Sequence, residues 1–108
     1  MTTQRRIQMS RRKPWRQLAP DAVIVARGKA GEPWGNPHPV SDPCPECDGR
    51  RHTRDEAIAL YREHLLAHPD LVDRIKRELA GRDLACWCKP DEACHADLLL
   101  KIANEEPW

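Results

Sequence analysis

Apolar and polar residues alternate over Arg6–Ser10, with Ile7 and Met9 on one side, and this period of two predicts a short strand. A basic turn containing Pro14 follows. Ala22–Ala26 reads Ala-Val-Ile-Val-Ala, a continuous β-branched run of the kind that forms a strand buried on both faces. The period then disappears through Gly28–His52, a stretch studded with Gly and Pro. A loop of that length in a compact domain is usually functional, or is ordered by something other than a core. Helical spacing starts after Thr53. Thr53-Arg54-Asp55-Glu56 has the form of a capping box, in which Thr53 accepts from the Glu56 amide and Glu56 reaches back. Ile58, Tyr61 and Leu65 fall on one helical face, which Ala57, Leu60 and Leu66 widen. Pro69 restricts His68 and ends this helix. A second helix is expected from about Asp70 to Leu79, buried along Leu71, Val72, Ile75 and Leu79, with Gly81 where a C-terminal cap would stand. Leu84–Cys88 is another buried strand and Lys89–Ala93 a loop. Cys94–Asn104 is a third helix whose Leu98, Leu99 and Ile102 face inward.

The order β-β-loop-α-α-β-α predicts a small single α/β domain. Its sheet is short and mostly parallel, flanked by about three helices, with a long Gly/Pro-rich loop. If the path from Val23–Ala26 through two helices to Leu84–Cys88 is a crossover, those strands are parallel. Ligands of such sheets bind at the carboxyl ends of the strands. That edge would carry both the Gly28–Pro39 loop and the Cys88–His95 loop.

A chain of 108 residues has room for one core, and 40% hydrophobic with 32% charged residues argues against wholesale disorder. No apolar run is long enough to span a bilayer, and no signal peptide is legible at the N-terminus, so a cytoplasmic, membrane-free setting is expected. Five cysteines, an odd number, then suit reduced thiols or metal ligands better than a disulfide framework. The net charge is only +1. It is unevenly spread: Arg5, Arg6, Arg11, Arg12, Lys13 and Arg16 meet no acidic residue within residues 1–18. This basic segment contains Trp15 and could engage phosphates; a solvated arm flanking a first strand has the same composition. With Phe absent, Trp15, Trp34 and Trp87 are candidates either to line a pocket or to fill the core. Trp108 closes the chain and carries no expectation.

Three constellations could carry chemistry. The first is Cys86-Trp87-Cys88 with Cys94-His95-Ala96-Asp97. Alternate residues of a strand share a face, so Cys86 and Cys88 point one way and Trp87 the other. Cys94 and His95 fall at the mouth of a helix, where free amides and the dipole lower a thiol's pKa and could cradle a phosphate. If the site is catalytic, Cys94 or Cys88 is the nucleophile and His95 the general acid or base. Asp97 either caps the helix or orients His95. Cys86 reads as a small core residue. The second is Cys44-Pro45-Glu46-Cys47-Asp48-Gly49 followed by His52, the form of a zinc knuckle. It supplies Cys44 and Cys47, with His52 as a third ligand and Cys88, Cys94, His95 or His38 to complete a tetrahedron. The third is Trp34-Gly35-Asn36-Pro37 after Arg27-Gly28, which either presents an amide beside an aromatic platform or makes a rigid turn.

The stretches Arg11–Trp15, Val23–Arg27, Trp34–Pro37, Tyr61-Arg62 and Leu84–Cys88 through Cys94–Leu99 resemble the family known as domain of unknown function 4326, small proteins frequent in bacteriophages of actinobacteria and in their hosts. The resemblance covers most of the chain. It implies an α/β fold with these blocks gathered at one site, host-cell cytoplasm if the protein is phage-encoded, and no particular activity. Pro14 stands where members often have Gly, and Gly28-Lys29 where they often have Arg-Pro. The Cys44–Cys47 knuckle sits where the family varies, which suits a local metal staple.

Two functions compete. One is binding or modification of a nucleotide or nucleic acid, with Trp34, Asn36, Arg12, Trp15 and Arg27 on the ligand and Cys94, His95, Asp97 and Cys88 at the chemistry. The other is a non-enzymatic protein with structural zinc on Cys44, Cys47, His52 and Cys88, contacting a host protein or nucleic acid.

Overall fold

The computed structural model describes residues 4–26, 32–89 and 91–108. Strand β1 (Arg6–Gln8) leads through a one-turn helix α1 (Trp15–Leu18) to β2 (Val23–Ile24). Helices α2 (Arg54–Leu66) and α3 (Pro69–Glu78) then precede β3 (Leu84–Cys86) and α4 (His95–Ala103). The sheet order is β1-β3-β2 and both pairings are parallel, with Ile7 and Ile24 each opposite Ala85. The α/β architecture expected from the period changes is therefore the one observed. All three strands are shorter than the apolar runs that encode them. Flanking residues continue the pairing singly: Met9 N–H donates to Cys86 O and Val25 N–H to Ala85 O.

Local chemistry sets the helix ends. Thr53 Oγ1 accepts from Glu56 N–H and Glu56 Oε1 from Thr53 N–H, the reciprocal box that starts α2. Pro69 begins α3 at a position where its missing N–H costs nothing, one residue earlier than the apolar stripe suggests. Gly81, with φ +76°, takes the left-handed conformation that carries the chain away from α3. The turn α1 has no sequence period and was not expected.

The faces of the sheet are covered unequally. Val25, Leu84 and Cys86 pack with Tyr61, Leu65, Ile75, Leu99 and Ile102 of the three long helices and with Leu79, the C-cap of α3. Each such aliphatic side chain contributes about 1.5–3 kcal/mol on burial. Trp108 joins this core from its edge, with the Arg62 guanidinium 5.9 Å from its ring. On the opposite face, among the described residues, Met9, Ala26 and Ala85 pack with Ile7, Trp15, Ala22 and Ile24. Among the described residues no helix is long and apolar enough to cross a membrane.

Candidate metal centre and strand-end cavity

The loop before α2 has little apolar content to hold it. Residues Pro45–Cys47 make a single 3-10 turn after Cys44. Cys47 N–H and Gly49 N–H both donate to Cys44 O, while Asp48 (φ 55°) and Gly49 (φ +81°) turn the chain back in left-handed conformations. Two backbone bonds then clamp the loop, from Cys44 N–H to Arg50 O and from Ser41 N–H to His52 O. The result brings His38, Cys44, Cys47 and His52 together, with one ligand atom of each within 4.8 Å of all the others. His38 Nδ1 lies 3.3 Å from Cys44 Sγ and 3.6 Å from Cys47 Sγ. A tetrahedral ion at ordinary Zn–S and Zn–N distances sets its sulfur and nitrogen ligands about 3.5 Å apart. His52 Nε2 is buried without a hydrogen-bond partner. A buried polar atom with no partner is costly, and in a residue grouped with two thiols and an imidazole a bound cation would offset that cost. These residues fit a metal ion.

Of the four metal ligands expected from sequence, Cys44, Cys47 and His52 converge. Cys88 does not join them; His38, one of the alternatives for the fourth place, does. The reason is the direction of β3, which carries Cys88 past the sheet's carboxyl edge toward Cys94, where Cys86, Cys88 and Cys94 form a separate group of sulfurs within 4.8 Å.

That second group lies against a cavity of about 200 Å³ at the carboxyl ends of the strands. Both expected loops reach it. Asn36, His38 and Pro39 come from one, with Val40 just beyond it, and Cys88, Ala93, Cys94 and His95 from the other; Ala26, Arg54, Ile58 and Trp87 complete much of the wall. Cys94 is the N-cap of α4, and Asp97 Oδ2 accepts from its N–H at 3.1 Å while pairing with Arg6 at the same distance. Of the two roles considered for Asp97, capping is the one its bonds fulfil. His95 is instead oriented by Val25 O, 2.5 Å from its Nε2. A carbonyl only accepts, so Nε2 carries the proton and Nδ1 presents a lone pair 3.6 Å from Cys94 Sγ.

The electrostatics correct one expectation. At a helix mouth the Cys94 thiol should be acidified. Its S–H instead donates to Cys86 Sγ at 3.3 Å, and this bond together with burial pushes its pKa up to about 11 against the pull of His95. With a side chain in a residue only 2% exposed, it is not a free nucleophile. Cys86 shifts downward because it receives that bond, and burial raises Cys88. Cys86 fills the core as expected and in addition accepts the Cys94 bond, while Cys94 is the member that contacts both other thiols.

The ligand-reading residues are scattered. Trp34 is buried among the core side chains, with its carbonyl accepting from Tyr61 Oη at 2.6 Å, so its ring is packing rather than a platform. Asn36 does line the cavity, but its amide is engaged: Nδ2 donates to Ala57 O and Oδ1 accepts from His38 N–H, both at 2.9 Å. Trp15 lines a different cavity, of about 310 Å³, on the thinly covered side of the sheet. Arg12 is exposed, its backbone N–H held by Ser10 Oγ. Arg27 lies outside the described residues. Trp87 is the tryptophan at the strand-end cavity; it is 51% exposed at the rim, with the Arg11 guanidinium 5.9 Å from its ring centroid.

Sequence reasoning missed Arg54, assigning it only to the capping box. Its guanidinium donates to Cys88 Sγ at 3.4 Å and Ala93 O at 3.0 Å, and pairs with Glu92 at 3.2 Å. Its place in the first turn of a helix, next to a cysteine-bearing loop only in three dimensions, left no linear signal.

A model of the family described as domain of unknown function 4326 matches residues 7–105, a span that includes both clusters and the cavity. No curated protein and no solved structure matches the chain.

Proposed function

The chain belongs to the domain of unknown function 4326 family, and we propose that it is a metal-stapled binding domain for a nucleotide base, free or within a nucleic-acid strand. The observation that carries this reading is the pairing of Trp87 with Arg11 at the rim of the strand-end cavity. A half-exposed indole offers a π-face on which a base can stack, worth about 1–3 kcal/mol, and the adjoining Arg11, Arg12 and Lys13 supply charge for the phosphates. Ala26, Val40 and Ile58 give the cavity an apolar wall, and Arg54 puts donors inside it. The His38, Cys44, Cys47 and His52 set suits zinc, a borderline-soft ion at home with thiolate and imidazole, and the metal would hold the loop that forms one wall. Binding rather than catalysis is the reading the Cys94 environment favours.

Titration with mononucleotides and with a short single-stranded oligonucleotide, followed by tryptophan fluorescence, tests this. Trp87→Ala is expected to weaken binding about 5- to 150-fold. Arg11→Ala is expected to lower the salt slope by about one for the oligonucleotide. The reading fails if neither ligand binds at millimolar concentration, or if Trp87→Ala binds like wild type. A second reading, docking of a host protein, draws on the other side of the sheet. There Trp15 and the 77% exposed Leu18 border the larger cavity beside the basic segment. Crosslinking in host extract that depends on Leu18 rather than on Trp87 would favour it.

A further inference from the structure

We propose that Cys86, Cys88 and Cys94 hold a second, soft divalent metal ion, with its remaining coordination position turned toward the strand-end cavity. This goes beyond the base-binding reading and does not rest on it. The three sulfurs lie within 4.8 Å of one another, and Cys86 and Cys94 are 3.3 Å apart. Thiolates sharing a tetrahedral zinc stand about 3.8 Å apart, so a small adjustment of side chains admits the ion. The surroundings are those a thiolate–metal unit requires. Backbone amides of Cys88 and Ala96 point at the Cys86 and Cys94 sulfurs, and Arg54 donates to Cys88 Sγ. Three thiolates on a divalent ion leave one negative charge, and Arg54 sits beside it. Binding displaces three thiol protons to solvent.

The geometry also says where the fourth ligand comes from. Cys86 and Cys94 are buried on the core side, and all three cysteines line the cavity. His95 is fixed by Val25 O, so its Nδ1 stays beside Cys94 and the ring walls one side of the thiol group. Three protein ligands leave a fourth position at which such an ion can take an external ligand. The ligand class it would take is water or a small nitrogen- or sulfur-donor anion.

Metal content of the purified full-length protein, with cobalt(II) reconstitution, decides the matter. Wild type is expected to bind two ions per chain. Cys88→Ser should bind one and keep its fold, since Cys88 is only partly buried; Cys47→Ser should lose the other ion and keep the three-thiolate one. In cobalt-loaded Cys47→Ser protein, added azide should shift the visible bands. One ion per chain in wild type, or two retained by both Cys88→Ser and Cys94→Ser, overturns the site. So does a metal-free protein carrying a Cys86–Cys94 disulfide. Bands indifferent to azide overturn the open position. Nucleotide titration of Cys88→Ser is the independent reading: binding that survives there leaves the base-binding proposal standing whichever way the metal count falls.

Discussion

Replacing His52 by alanine separates a metal-ordered loop from one that is merely packed, because the two predict opposite signs. His52 Nε2 is buried and has no hydrogen-bond partner, in a group with His38, Cys44 and Cys47. Metal binding to a structural Cys/His site is worth about 10–16 kcal/mol in apparent free energy at neutral pH. Shared over four ligands, the loss of one costs about 2.5–4 kcal/mol, or about two to three powers of ten in Kd. Without a metal, the same substitution removes an unpaired buried nitrogen, whose burial costs about 1–3 kcal/mol, and the variant would be neutral or more stable. Urea unfolding at neutral pH, followed by circular dichroism with and without excess chelator, reads the difference. The expected result is a variant less stable than wild type, with the gap closing when chelator is present. A His52→Ala protein at least as stable as wild type, with a wild-type transition that chelator does not move, refutes the reasoning.

Thr53→Ala removes one half of the α2 capping box and should cost about 1 kcal/mol, measurable as a lower urea midpoint with an unchanged slope. Leu99→Ala opens a hole at a fully buried position of the main core and should cost about 2–5 kcal/mol, whereas Leu18→Ser, at a 77% exposed site, should leave thermal stability within about 0.5 kcal/mol. His64 is harder to protonate in the fold than in the unfolded chain, through burial first and then its neighbour His68. The unfolded state therefore takes up more protons through the ordinary histidine range near about 6.5, and stability should fall as pH drops through that range and below it. His64→Gln should shrink the fall; an equal fall in both proteins would show that His64 is not its source.

How much of this was legible depends on whether the signal was local. The α2 start was, because a capping box needs only residues three apart, and so was the break at His68-Pro69. The Cys44–Cys47 knuckle was legible for the same reason, since the turn that points both sulfurs inward lies within it. His38 was one option among four because nothing in the spacing between residues 38 and 44 fixes where a loop folds back; the clamp from Ser41 to His52 does that in space. Cys88 was misassigned because linear reading pools cysteines, while parallel strands sort them by the edge they reach. The Cys94 thiol went the other way from the helix-mouth expectation because a neighbour from strand β3, Cys86, outweighs the local dipole. Trp34 could not be told from Trp87 by composition; only the packing around Tyr61 puts one inside and leaves the other at the rim.

The brevity of the strands has a bearing on colloidal behaviour. An unpaired strand margin invites a second chain to add itself, and a parallel three-strand sheet has two such margins. Here the outer strands are only three and two residues long, and Arg5 and Arg6 stand at the start of one of them. So little exposed backbone gives an incoming strand almost no template, and concentrated solutions should resist fibril formation although neither flank is capped by a closed barrel.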